Sequence, residues 1–243
     1  MSTRPALRQR GFVAAALATA SSWLLEPAEP RLEPEPPVAA GPRPVVAVFG
    51  LARRCGATTV ARALGAELAA RSDDGACAVS GSGPAGAIPL GTPAAARLAR
   101  ALAEFAPGRP RASGRLCLVE AEDPLALADL ARGLAPLVLD AGTAPGGAFA
   151  SVADRVILVA GPAVEPSLAW AVAASVSRVA ARPLVVLSRP RRGGGGEDRW
   201  GNRADLRLSE SRAGAQLALG GREPRGALGR AVGELADLCE LGA

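Results

Sequence analysis

Residues 50–59 hold the side chains and backbone turns best suited to chemistry. Gly50, Cys55, Gly56, Thr58 and Thr59 lie between an apolar run, Val45-Val-Ala-Val-Phe49, and a segment with Val60, Leu64 and Leu68 at i, i+4, i+8. The run predicts a buried strand, and the periodic segment an amphipathic helix. Strand, glycine loop, paired threonines and helix form the layout of a phosphate-binding loop. In such a loop, N–H groups at a helix N-terminus face an anion, and a hydroxyl can hold Mg2+. The same residues also fit a tight strand-to-helix turn that binds nothing.

The usual phosphate loop reads G-x-x-x-x-G-K-[ST]. In this chain Gly50 stands one residue too far from Gly56, and Ala57 occupies the lysine position. No lysine elsewhere can stand in, because all 28 Lys+Arg residues are Arg. A carboxylate signal follows downstream, where Leu137-Val-Leu runs into Asp140 and then Ala141-Gly-Thr-Ala-Pro-Gly-Gly147. If the strands are parallel, Gly50, Gly56 and Asp140 meet at their carboxyl ends, where ligands bind in such sheets.

On these residues the chain resembles a family. Ala52-Arg-Arg-Cys-Gly-Ala-Thr-Thr59 is similar to the deviant loop K-G-G-x-G-K-T-T of MinD/ParA-type P-loop ATPases. It resembles more closely the G-x-G-A-T-T loop of CpaE/TadZ-type proteins of pilus assembly, in which Ala at the position of Ala57 is common. The family's signature lysine falls on Ala52, and its two glycines on Arg53 and Arg54. Leu137 to Asp140 resembles the second phosphate-site motif, whose Asp reaches Mg2+ through water. The resemblance implies ATP with Mg2+ as cofactor, the nucleotide on Gly50, Arg53, Arg54, Gly56, Ala57, Thr58 and Thr59, and the metal on Thr58 and Asp140. It spans residues 44–241 in layout, with sharp motifs around 50–60 and 137–146.

Other positions depart from that family. The strand at 76–80 ends in Ser80-Gly81, where relatives carry an Asp that arranges magnesium and the attacking water. The strand at 183–188 ends in Ser188, where relatives often place an adenine-reading Asn. The reading is therefore a degenerate nucleotide-binding protein, a positioning or scaffolding factor with weak ATPase activity or none. Two alternatives stand beside it. One is a working ATPase in which Arg53 or Arg54 clamps phosphate bidentately in place of lysine. The other is a non-catalytic interaction protein that has lost the nucleotide. The implied partners are a second copy of the chain, pilus or envelope machinery, or an anionic membrane surface, in the cytoplasm.

The elements that must position these groups are apolar strands at 45–49, 76–80, 115–120, 137–140, 155–160, 183–188 and 205–208. Amphipathic helices separate them. One runs from Pro93 to Phe105. Another is opened by Asp123-Pro124 as N-cap and first-turn proline, with Leu127, Leu130 and Leu134 inward. A third runs from Pro166 to Ala180 with Leu168, Val172, Val176 and Val179 aligned. The last has Leu228, Val232, Leu235 and Leu238 as its inner face. Strands without polar alternation predict a mostly parallel sheet covered on both faces, a three-layer, P-loop NTPase-like α/β domain.

Composition sets the outer limits. The 243 residues are 49% hydrophobic but only 3% aromatic, so the core is built of Ala, Val and Leu. With no His, Lys or Tyr, the chain excludes histidine triads, histidine metal sites and Schiff-base lysines within itself. Cys55, Cys77, Cys117 and Cys239 are widely spaced without a C-x-x-C pair, which favours buried, reduced thiols over a disulfide or metal site. The net charge of +5 is uneven, with eleven Arg against five acids between Arg182 and Arg230. That stretch, with Arg189-Pro-Arg-Arg-Gly-Gly-Gly-Gly196 as its loop, reads as a solvated segment able to meet phosphate or anionic lipid. Nucleic acid is disfavoured, since Trp200 alone offers a ring for base stacking.

Residues 1–43 differ from the rest. Arg4, Arg8 and Arg10 precede an apolar run from Phe12 to Leu25, which has the shape of a signal peptide with Ala18-Thr-Ala20 as cleavage site. The preferred reading is an Ala-rich helix at 1–25, docked on the domain or lying on a membrane surface. The alternation of Pro and Glu from 26 to 43 predicts an extended, solvated linker, and the α/β domain occupies 44–243.

Overall fold

The computed structural model describes residues 43–81, 90–104, 110–120, 123–180, 183–189 and 199–240. The expected helix at 1–25, nearly all of the linker, and the glycine-rich part of the basic loop lie outside the described residues.

Eight strands form one sheet in the order β3-β4-β2-β5-β1-β6-β7-β8. They are β1 (Val45–Gly50), β2 (Cys77–Ser80), β3 (Arg111–Ser113), β4 (Leu116–Val119), β5 (Leu137–Asp140), β6 (Arg155–Ala160), β7 (Leu184–Ser188) and β8 (Leu206–Leu208). All neighbours pair in parallel except β3, which lies antiparallel to β4. The central strand β1 is buried along its whole length between β5 and β6. Both of its faces are apolar because successive side chains point to opposite sides of the sheet. Val45, Ala47 and Phe49 enter one core, and Val46 and Val48 the other.

Seven described helices cover the two faces. α1 (Ala57–Arg71), α6 (Arg212–Leu219) and α7 (Gly226–Glu240) lie over the Val46 and Val48 side. α2 (Pro93–Ala103), α3 (Pro124–Arg132), α4 (Gly147–Val152) and α5 (Pro166–Val176) cover the other. The result is the expected three-layer α/β architecture. Local chemistry sets several helix starts. The Thr92 hydroxyl accepts the Ala95 N–H at 3.2 Å, and Asp123 caps Leu125 and Ala126 at 2.9 and 3.2 Å. In α2 and α3 a proline follows in the first turn, where its missing N–H costs nothing.

The N-terminal edge of the sheet is closed by Asp154, which precedes β6. Its Oδ2 accepts the Val45 N–H at 2.7 Å and an Arg132 N–H at 3.1 Å, while Oδ1 accepts a second Arg132 N–H at 2.9 Å. The Ala-Asp step before this strand is thus an anchor between β1, β6 and the end of α3.

Two expectations are corrected, and one element is new. The hairpin β3–β4 was not legible, because Arg-Ala-Ser carries no apolar signature. Its turn is fixed by a distant contact: Gly114 (φ 56°) meets Gly221 (φ 70°) after α6, and Arg115 N–H donates to Gly221 O at 2.8 Å. α5 ends at Val176 and buries Ala169, Ala173 and Val176. Leu168 and Val179 are instead 54% and 58% exposed. This helix is apolar on most of its circumference, so the large residues did not mark its inner face; the small ones let it approach the sheet. In α7 Leu228, Val232 and Leu235 are buried as expected, but Cys239 takes the inward place assigned to Leu238.

Candidate functional site: a cleft at the start of α1

The chain leaves β1 at Gly50, which cannot carry a larger side chain. A Cβ there would lie 2.7 Å from Cys55 Sγ. Gly50 N–H donates to Gly142 O at 2.7 Å and Leu51 N–H to Val159 O at 2.8 Å, so the loop is pinned between the ends of β5 and β6. It then passes over Arg54, in the left-handed region at φ 61°, and reaches Gly56 at φ 97°, the N-cap of α1. The first helical bond runs from Val60 N–H to Gly56 O at 2.9 Å. The N–H groups of Ala57, Thr58 and Thr59 precede that bond and present the positive end of the helix dipole.

An open cleft of about 350 Å³ lies at this end of the sheet. Gly50, Arg54, Gly56, Ala57, Thr58 and Thr59 line it, together with Asp140 and Arg189. The sequence reading placed seven residues on the phosphates, and the structure brings all but Arg53 to this cleft; Arg53 is an exposed residue of the loop. The Thr58 hydroxyl and the Gly142 N–H lie beside the Asp140 carboxylate, close enough to favour its charged form. Asp140 is half-buried, and burial raises its pKa above the ordinary carboxylate value. The Thr58 hydroxyl, the Arg62 charge and the Gly142 N–H oppose that shift without cancelling it.

Arg62, one turn after Thr58, is 3% exposed and donates to Leu219 O at 3.1 Å. Burial lowers its pKa, and attraction to Asp140 works against that shift. It lies inside the protein rather than on the cleft. On the other side of Asp140, its N–H donates to Ser80 Oγ at 3.0 Å. A Cβ on Gly81 would lie 3.3 Å from Asp140 Cβ. The end of β2 therefore packs against Asp140 and brings a hydroxyl and a glycine to it.

A second cavity of about 260 Å³ adjoins the first, sharing Gly56, Thr59 and Arg189. Its polar lining includes Ser188, Ser209 and Glu210, from the ends of β7 and β8. Ser188, the last residue of β7, is buried and lines this cavity. Sequence reasoning missed Arg189 by assigning it to a solvated loop. The available signal was its position directly after a parallel strand, on the ligand face of the sheet.

The donor set suits a magnesium–phosphate ligand. A hydroxyl and a carboxylate are the hard oxygen ligands magnesium takes. The N–H groups of α1 and the guanidinium groups of Arg54 and Arg189 suit phosphate oxygens. The four cysteines are free and buried, and no cluster of metal-ligating side chains exists among the described residues.

No protein-family model matches the sequence, and no curated protein matches it. Solved structures do match the fold. The chain is similar to a ParA family ATPase from Chlorobium tepidum, at 16% identity and TM-score 0.54, with 80% of this chain and 98% of that one covered. It is similar to a chain of the MinC:MinD cell division protein complex of Aquifex aeolicus, at 15% identity and TM-score 0.54, with 80% and 95% covered. A plasmid partition protein of Borrelia burgdorferi bound to AMPPNP matches at 10% identity and TM-score 0.54, with 82% and 98% covered. The fold is like that of these ParA and MinD ATPase structures, a three-layer α/β architecture, and in this chain the cleft lies at the carboxyl ends of the strands.

Proposed function

We propose that this chain is a degenerate MinD/ParA-like nucleotide-binding protein that takes a magnesium–nucleoside phosphate at the start of α1 and hydrolyses it slowly or not at all. The observation that carries the reading is the Thr58–Asp140 pair, set beside the first N–H groups of α1 in one cleft. Thr58 and, through water, Asp140 would hold the magnesium. Bound magnesium would neutralise phosphate charge. Gly56, Ala57, Thr58 and Thr59 would bind phosphate oxygens through their N–H groups, and the adjoining cavity at Ser188 would receive the base.

Slow turnover follows from what surrounds that pair. Positions 52 and 57 are Ala, and the β2 end beside Asp140 offers Ser80 and Gly81. An electrostatic donor aimed at the reacting group is worth on the order of a hundredfold in rate, so the missing lysines and carboxylate all point toward weak hydrolysis. A protein that binds without turning over serves as a positioning or scaffolding factor. The G-A-T-T loop favours the CpaE/TadZ-type branch, and with it a cytoplasmic role at pilus or envelope machinery, as a homodimer or against an anionic membrane through residues 1–25. No described helix is long and apolar enough to cross a membrane.

Titration of the purified full chain with ATP and GTP, with and without Mg2+, tests the reading. Magnesium-dependent binding with turnover below about 0.1 per second supports it. Turnover near one per second, lost in Arg54→Ala, would establish the arginine-substituted ATPase instead. Absence of binding at millimolar nucleotide would leave the interaction protein.

A further inference from the structure

We propose that Arg189, at the end of β7, is the phosphate-binding cation of this cleft and takes over the charge that a lysine at position 57 would supply. The inference rests on the nucleotide-binding reading for the identity of the ligand, but not for the placement of the charge.

Four arginines lie near the loop, and the structure separates them. Arg53 is exposed and does not line the cleft. Arg62 is buried, with its guanidinium committed to Leu219 O inside the protein. Arg54 lines the cleft from the loop crest. Arg189 alone lines both cavities, at the boundary between them.

The geometry holds Arg189 over the loop. Its guanidinium donates to the Arg54 carbonyl oxygen, and Nη2 lies 3.9 Å from where a Cβ on Gly56 would stand. Gly56 is the N-cap of α1, so the positive fork sits over the same turn whose N–H groups face the cleft. A guanidinium has several N–H donors in one plane. The loop carbonyl takes one and orients the rest. Such a planar fork matches two oxygens of a phosphate, which an ammonium point charge does not.

The backbone gives a second, independent indication. Among the described residues, only Arg54 and Arg189 adopt positive φ without being glycine, at 61° and 55°. They are also the two partners of this hydrogen bond. A left-handed arginine is strained, and such strain concentrates where a site needs the chain held in one place. Arg189 N–H donates to Leu208 O at 2.8 Å, which fixes that turn to the neighbouring strand. The strain aims a cation at the cleft across from the carboxylate of Asp140.

Isothermal titration calorimetry of the full chain tests the assignment with three probes: Mg·ATP, AMP and inorganic pyrophosphate. Arg189→Gln is expected to weaken ATP and pyrophosphate at least tenfold and AMP less than about threefold. Arg189→Lys should recover part of the loss. Arg189→Asn serves as a second variant because Asn tolerates the left-handed backbone, and unchanged thermal midpoints verify the fold. Equal ATP affinity in the parent and both variants would overturn the role of Arg189 and leave nucleotide binding intact. Pyrophosphate binding lost in Arg189→Gln, with no nucleotide binding by the parent, would keep Arg189 and discard the nucleotide. No binding of any probe by the parent would overturn both.

Discussion

The Thr58 hydroxyl on the first turn of α1 lies beside the Asp140 carboxylate at the end of β5, in one cleft, across 82 positions of sequence that include β2, β3 and β4. The strand β1, which leads into α1, and the strand β5 are direct neighbours, with Val48 in register with Asp140. Asp140 is thus an acid in a partly buried place, and that burial raises its pKa. The pH behaviour of the site follows from it.

Asp140 is more easily kept neutral in the folded protein than in the unfolded chain. Its contribution to stability is therefore fully present below the unfolded carboxylate value and is lost as pH rises through the raised folded value. Asp140→Asn should be more stable than the parent at neutral pH, and the difference should shrink on acidification. Chemical denaturation across pH 3.5–7 measures this. Magnesium needs the ionised form, so the magnesium-dependent part of nucleotide affinity should fade on acidification at a pH above the ordinary carboxylate value of about 4. It should be absent at all pH in Asp140→Asn.

Gly221 sits at φ 70°, and a Cβ there would overlap the Ser113 carbonyl oxygen. Gly221→Ala should cost about 3 kcal/mol or more, read as a lower urea midpoint, because backbone meets backbone and neither can yield. Gly226, at φ 69°, has nothing within 4 Å of the same position. Gly226→Ala should cost only about 1 kcal/mol, the backbone share alone.

The inner face of α5 can be checked by two substitutions one residue apart. Leu168→Ala should change stability by less than about 0.5 kcal/mol, as expected for a half-exposed side chain away from the core. Ala169→Leu should destabilise by about 1–3 kcal/mol, because Ala169 is fully buried against the sheet and has no room for three more carbons.

Burial raises the pKa of Cys77 well above that of a free thiol and pushes Cys117 and Cys239 up to about 12. Few of these groups are thiolates at pH 8, and none is open to solvent. Ellman's reagent should leave all three unreacted in the native protein and titrate all four cysteines in guanidinium chloride.

Much of this protein follows from local pattern. The unbroken apolar run Val45 to Phe49 could only be a strand covered on both faces, and the sheet has it at its centre. Gly50, Gly56 and the threonines declare a strand-loop-helix turn through backbone requirements that any tertiary setting must respect. Asp140 was legible as a strand end because four residues sufficed to show it. What the sequence could not determine depends on groups far apart in the chain. Arg189 enters the cleft because β7 lies two strands from β1 and the residue after it turns back over Gly56. β3 exists because Gly114 finds Gly221, and no residue of Arg111 to Ser113 announces that contact. The inward face of α5 was decided by how closely alanines let a helix approach the sheet. Periodicity reports where apolar residues recur, but only packing decides which of them a neighbour covers.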